Sequence, residues 1–156
     1  SLRREYPEMK LTLVGRPKPD GETQRLIDAL GLADCIECCK GISHEEMVEK
    51  YALASVAVVP SIYEGFGLPA VEAMACGVPL VSTSGGALAE VVSDAALVVS
   101  PGDSDALAQQ IRRLFDDQSL RAEYAARGLE RVEQHFCWER CAERMEAYYR
   151  ERIASC

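Results

Sequence analysis

The sequence predicts an α/β fold built on a parallel sheet, and three observations predict it. Short apolar, β-rich runs alternate with stretches of helical spacing along most of the chain. The connections between them are short and hold Gly, Pro, Asp or Ser. One run, Val56-Ala57-Val58-Val59, is apolar throughout, as expected of a strand whose sheet is covered on both faces. Such alternation implies parallel strands joined by right-handed crossovers, a doubly wound, Rossmann-like sheet of about five strands.

Taken in order, Lys10-Leu11-Thr12-Leu13-Val14 is a first strand ending at Gly15. Residues 22–30 place Leu26, Ile27 and Leu30 at helical spacing, and Gly31 stops that helix. Cys35-Ile36-Glu37-Cys38-Cys39 is a weaker second strand, closed by Gly41. Ser43, three residues before Glu46, forms a capping box. The helix it starts carries Met47, Val48, Tyr51 and Ala52. The third strand is the Val56–Val59 run. A loop and a short helix follow it, and Gly77 and Pro79 end that helix. Leu80-Val81-Ser82 is a fourth strand, Gly85-Gly86 a tight turn into a helix with Leu88 and Val91-Val92, and Ala96-Leu97-Val98-Val99 a fifth strand. Asp103 is the expected N-cap of a helix whose core stripe is Leu107, Ile111 and Leu114. Residues 118–135 form another helix, through Leu120, Tyr124, Leu129 and Val132. A last helix starts near Cys137 and sets Trp138, Cys141, Met145 and Tyr148 on one face. Three helices exceed what one crossover needs, so the last covers an edge or reaches toward something outside the chain.

Composition narrows the function. A chain of 156 residues is read as one domain, 1–156, and its 48% hydrophobic content argues against disorder. A net charge of −8 argues against a nucleic-acid partner. Arg112, Arg113, Arg121, Arg127 and Arg131 fall in one helical region, mixed with Asp116, Asp117, Glu123 and Glu130, and read as a solvated face. No apolar run approaches the ~18 residues of a membrane span. Ser1-Leu2-Arg3-Arg4-Glu5 is charged and lacks the look of a signal peptide. Among seven cysteines, Cys35-x2-Cys38 resembles half a zinc site and Cys137-x3-Cys141 sets two sulfurs on one helical face, but neither lies in a loop-rich context and His44 and His135 do not fall at finger spacing. Reduced, mostly buried thiols of a cytoplasmic protein are therefore expected, with no metal and no cofactor.

Chemistry gathers between Pro60 and Pro79. The loop Glu64-Gly65-Phe66-Gly67-Leu68 lies at the C-terminal end of a strand, where open α/β sheets bind ligands. Amides at a helix N-terminus attract anions, glycines permit close approach, and Pro69 suits a first helical turn. A phosphate docked there would meet the amides near Gly67 and Leu68. Glu72 has the wrong charge for phosphate, but a carboxylate accepts hydrogen bonds from paired hydroxyls, such as a ribose diol. Glu64, at the loop's start, faces whatever lies beyond the phosphate. That order of groups describes a nucleotide-sugar. The run Gly65-Phe66-Gly67-Leu68-Pro69-Ala70 also fits the dinucleotide pattern G-x-G-x-x-G/A. Against that, Pro60 to Glu64 separate the strand from the first glycine, and this is the third βα unit rather than the first.

Glu64 and Glu72 stand as the two acids of an E-x7-E signature, and the stretch resembles the family 4 retaining glycosyltransferases. Further likeness lies in Pro60-Ser61, Glu72-Ala73-Met74-Ala75-Cys76-Gly77-Val78-Pro79, Gly85-Gly86 followed by Glu90, Val14-Gly15 and Pro101-Gly102-Asp103. The resemblance implies a GT-B architecture of two Rossmann-like domains, with this chain the C-terminal, donor-binding one. It implies that Glu72 binds the donor ribose and that Glu64 lies at the donor sugar and its reacting centre. It also implies that the amides of Gly65, Phe66, Gly67 and Leu68 contact sugar hydroxyls and phosphate. Gly41 and Ile42 would lie near the base, and Gly15 and Arg16 close to the donor. The implied reaction is metal-independent glycosyl transfer with retention. Asp103-Ser104-Asp105 has the D-x-D form of metal-dependent enzymes, but at a helix start it reads as a cap.

The family's first β-α unit, whose Arg and Lys neutralise the diphosphate, has no counterpart here, and neither does the N-terminal acceptor domain. Arg16 and Lys18 are nearby cations that do not replace that pair. A diphosphate leaving group needs positive charge, so the isolated chain is expected to bind donor weakly and to be inactive. Its expected partners are a nucleotide-diphospho-sugar, the missing domain and, through apolar surface left open, a second copy of itself. The full-length protein is expected in the cytoplasm, at most peripheral to the membrane. A second class stays open on the sequence, a non-catalytic nucleotide-binding or regulatory module of the same fold.

Overall fold

The computed structural model describes residues 2–155. The chain divides into two compact units, Ser1–Lys50 and Tyr51–Cys156.

The first unit holds α1 (Leu2–Glu5), β1 (Leu11–Val14), α2 (Glu22–Ala29), β2 (Ile36–Cys39) and the start of α3 (His44–Leu53). β1 and β2 pair in parallel, with Leu11 opposite Ile36 and Val14 opposite Cys39. The Gly15 N–H extends the ladder to the Cys39 carbonyl at 2.7 Å. The segments Gly15-Arg16 and Gly41-Ile42 therefore leave from the same end of the pair. The capping box at Ser43 forms in both directions: Ser43 N–H donates to Glu46 Oε2 at 2.7 Å, and Glu46 N–H donates to Ser43 Oγ at 3.2 Å. Cys39 is buried and Cys38 exposed, because successive strand side chains point to opposite faces. The expectation of mostly buried thiols thus holds at Cys35 and Cys39 and fails at Cys38 and Cys141.

The second unit holds β3 (Ala57–Val59), α4 (Leu68–Ala75), β4 (Leu80–Thr83), α5 (Leu88–Val92), β5 (Ala96–Val99), α6 (Ser104–Asp116), α7 (Gln118–His135) and α8 (Trp138–Ala154). Its strands are parallel in the order β3-β4-β5, with Ala57 opposite Leu80 and Leu80 opposite Ala96. All five expected strands form and every ladder is parallel; they bond as a pair and a triplet rather than as one ladder of five.

β4 shows why this unit is doubly wound. All four of its residues are buried. Leu80 joins a cluster with Ala70, Ala73, Met74, Leu88 and Val92. Val81, the next residue, joins Leu97 and Leu114. Alternate side chains thus feed two apolar layers on opposite faces. Ala70, Ala73 and Met74, at helical spacing, form the buried face of α4. α7 meets that face at Gly128, where an added Cβ would stand 3.1 Å from Met74 Cγ and 3.3 Å from Met74 Cα. The absence of a side chain lets the two helices approach.

Asp103 caps α6 by accepting from Ala106 N–H at 2.9 Å, as its position predicts. Asp117 caps α7 in the same way through Leu120 N–H at 2.9 Å. The arginines read as a solvated face do more than that. Arg121 Nη1 donates to the carbonyls of Leu114 and Phe115, both at 2.7 Å. Arg131 donates to the carbonyls of Val91 at 2.7 Å and Glu90 at 2.6 Å. They satisfy carbonyls that the last turns of α6 and α5 leave without helical partners. α8 buries none of its residues, and Trp138, on its expected apolar face, is 87% exposed. Among the described residues no helix is long and apolar enough to cross a membrane.

Candidate functional site

The loop between β3 and α4 has the properties its sequence foreshadows. α4 begins at Leu68, with Gly67 as its N-cap and Pro69 in its first turn. The N–H groups of Ala70 and Val71 both turn back to the Gly67 carbonyl, at 2.9 and 3.3 Å. The N–H groups of Gly65, Phe66, Gly67 and Leu68 have no acceptor among the described residues. Four successive unpaired donors therefore lead into a helix N-terminus, where the peptide dipoles favour negative charge.

Gly67 is required twice over. Its φ of +97° lies in the left-handed region, and a Cβ there would come within 2.6 Å of Leu88 Cδ2. Leu88 is fully buried, so it has little room to yield.

Glu64 is half-buried and held at both its carboxylate and its carbonyl. Its carboxylate accepts from Ser61 Oγ at 3.2 Å. Its carbonyl accepts from Ala87 N–H at 2.9 Å. Thr83 Oγ1, at the end of β4, donates to the Ser61 carbonyl and so ties the start of the loop to the sheet. The Phe66 ring stands 5.8 Å from that of Phe136 in an edge-to-face contact.

Glu72 lies on the exposed side of α4. Its Oε2 accepts from the Tyr51 hydroxyl at 3.3 Å, and that hydroxyl lies equally 3.3 Å from the Pro69 carbonyl. Burial pushes the Tyr51 hydroxyl up to about 12, helped by the charge and hydrogen bond of Glu72. It therefore stays protonated, a donor, throughout the physiological range. Burial, then the same carboxylate, also raises the Cys76 thiol.

Of the residues singled out in the sequence, Glu64, Gly65, Phe66, Gly67, Leu68 and Glu72 thus lie on one loop-and-helix segment of the second unit. Gly15, Arg16, Gly41 and Ile42 lie in the first unit, on the segments leaving β1 and β2. Ser61, Thr83 and Tyr51 join the account only through the structure. Ser61 belongs to the Pro60-Ser61 pair, but nothing local marks Tyr51, which bonds across 21 positions, or Thr83, across 22. Asp103 spends its carboxylate on a helix cap, and no cluster of His, Cys, Asp and Glu suited to a metal occurs among the described residues.

The family model described as "Glycosyl transferases group 1" matches residues 1–131. The MMP alpha-(1->4)-mannosyltransferase of Mycolicibacterium hassiacum is 40% identical over 94% of this chain and 36% of its own length. The chain spans about a third of the length of the curated relatives it matches. The C-terminal domain of the glycosyl transferase group 1 family protein LpcC from Francisella tularensis superimposes with a TM-score of 0.75 at 27% identity. That match covers 87% of this chain and 74% of the LpcC domain. Anabaena Alr3699/HepE in complex with UDP-glucose superimposes with a TM-score of 0.78 at 25% identity, covering 96% of this chain and 42% of HepE.

Proposed function

Because the chain belongs to the glycosyl transferases group 1 family, we propose that it is the donor-binding part of a retaining glycosyltransferase. The observation that carries this reading is the row of unpaired amides from Gly65 to Leu68, set between the carboxylates of Glu64 and Glu72. Donors without partners at a helix N-terminus suit the diphosphate and sugar hydroxyls of an activated sugar. The exposed Glu72 carboxylate accepts from the ribose diol. Glu64, anchored by Ser61 and Ala87, stands at the sugar and its reacting centre, where a fixed carboxylate stabilises positive charge developing at the anomeric carbon. Two structural relatives support a nucleotide-sugar donor and a C-terminal place in the parent protein. Alr3699/HepE is solved with UDP-glucose, and the LpcC neighbour is a C-terminal domain. The family resemblance assigns Gly15, Arg16, Gly41 and Ile42 to the same donor, an assignment that rests on the sequence.

The transfer needs no resident metal in this reading; the leaving diphosphate is neutralised by side-chain cations. This chain brings few of them, so the cations and the acceptor come from the rest of the longer protein. By itself the chain binds donor weakly and does not transfer sugar.

Calorimetric titration with UDP-, GDP- and ADP-sugars tests this, on the wild type and on Glu72→Ala. One of the three nucleotides should bind, and Glu72→Ala should weaken it at least tenfold, the loss of a charged hydrogen-bond acceptor for two hydroxyls. Equal binding by the two proteins would remove the ribose role of Glu72. In the longer protein, Glu64→Ala should lower kcat far more than donor affinity.

A further inference from the structure

Glu72 is an exposed side chain on a short helix, and an exposed glutamate samples many rotamers. Among the described residues, one contact restrains it. The Tyr51 hydroxyl, in the last turn of α3, donates toward Glu72 Oε2 at 3.3 Å. We infer that Tyr51 is a positioning residue for the ribose carboxylate: it holds Glu72 Oε2 so that Oε1 and the remaining lone pairs face an incoming diol. The inference rests on the donor reading of Glu72 given above.

Three features of the contact support a positioning role over a merely structural one. The ring of Tyr51 packs against the core beneath α4, together with Val71 and Cys76, so the donor itself is fixed while its acceptor is not. A phenol has one proton, and here two acceptors compete for it, the Pro69 carbonyl and Glu72 Oε2, each at 3.3 Å. The charged carboxylate is the stronger acceptor of the two, so the proton goes to Glu72, and the Pro69 carbonyl takes it only when the carboxylate has turned away. The hydroxyl also stays protonated, because burial and the neighbouring carboxylate both oppose its ionisation. A diol that donates to Glu72 therefore meets a carboxylate already oriented by a neutral donor, and the cost of ordering a rotamer-rich side chain on binding falls.

The test separates the hydroxyl from the ring. Tyr51→Phe keeps the packing and removes only the donor. Affinities of the chain are read by amide chemical-shift titration, at up to millimolar nucleotide, for UDP, GDP and ADP and for the 2′,3′-dideoxy counterpart of each. Wild type should prefer the ribose form. Tyr51→Phe should weaken the ribose form about fivefold, the scale of one lost hydrogen bond, and leave the dideoxy form unchanged. Glu72→Ala should abolish the preference altogether. If Glu72→Ala abolishes it while Tyr51→Phe weakens both forms alike, or neither, Tyr51 does not position Glu72 and the inference fails, with the donor reading intact. If wild type binds none of the three nucleotides, or binds ribose and dideoxy forms equally, the donor reading fails and takes the inference with it.

Discussion

The N–H of Ala87 donates to the carbonyl of Glu64 at 2.9 Å, and so joins the turn before α5 to the loop that carries the central carboxylate. Gly86, one residue earlier, crosses that carbonyl so closely that a Cβ would overlap the Glu64 oxygen, and its φ is +63°. Gly85 is blocked in the same manner by the Ile62 carbonyl. Both obstacles are backbone atoms, which cannot swing aside as a side-chain tip can. Gly86→Ala should therefore cost at least ~2 kcal/mol, strain and overlap together. A chemical-denaturation midpoint measures it; a midpoint within error of wild type would show that the turn has room to relax.

Gly128 offers a case where the sign depends on size. Replacing a helical glycine with alanine gains up to ~1 kcal/mol of helix propensity. At this position the added methyl meets Met74 at 3.1–3.3 Å, which offsets the gain. Gly128→Ala should be close to neutral, while Gly128→Leu should push α4 from α7 and cost about 1–3 kcal/mol. Thermal denaturation of the two variants side by side distinguishes local packing from propensity alone.

The capping box of α3 is a purely local device. Ser43→Ala removes the acceptor for Glu46 N–H and should weaken the first turn by about 1 kcal/mol. Faster hydrogen exchange at the Glu46 amide is the direct readout, with the amides of α7 unchanged as an internal reference.

Tyr51 makes stability depend on alkaline pH. Its hydroxyl ordinarily ionises near ~10, and in the fold burial and then Glu72 raise it to about 12. The folded state favours the neutral phenol, so the contribution is complete below pH ~10 and is lost as pH rises toward 12. The unfolding midpoint of wild type should fall over that window more steeply than that of Tyr51→Phe. Parallel curves would mean that the hydroxyl ionises freely in the fold.

Local signals explain which parts of the structure were legible in the sequence. The Ser43–Glu46 box and the Asp103 cap lie within one helical turn, and both appear as read. The strands follow from short apolar runs, and all of them form. The Glu64–Leu68 loop was visible because glycines, a helix-starting proline and two acids fall together. What the sequence does not show depends on packing between distant positions. Arg131 reads as one charge of a mixed surface until α7 lies over α5, which brings its guanidinium to carbonyls 40 and 41 positions away. Tyr51 reads as one apolar position of an amphipathic helix, and only the approach of α4 shows that its hydroxyl meets Glu72. Asp117 reads as one of the surface acids, although it caps α7. A charge run can hide a cap, because the same residue type serves both purposes.

The central claim is that the amides from Gly65 to Leu68 and the Glu72 carboxylate receive the activated sugar. The most direct measurement is a residue-resolved amide chemical-shift titration of the chain with UDP-glucose, with a GDP-sugar and with an ADP-sugar. The account predicts that the amides of Gly65, Phe66, Gly67 and Leu68 shift in a saturable manner with one of these donors, and that Glu72→Ala displaces the titration to higher concentration. Saturable shifts confined to other parts of the chain, with these four amides unmoved, would contradict it.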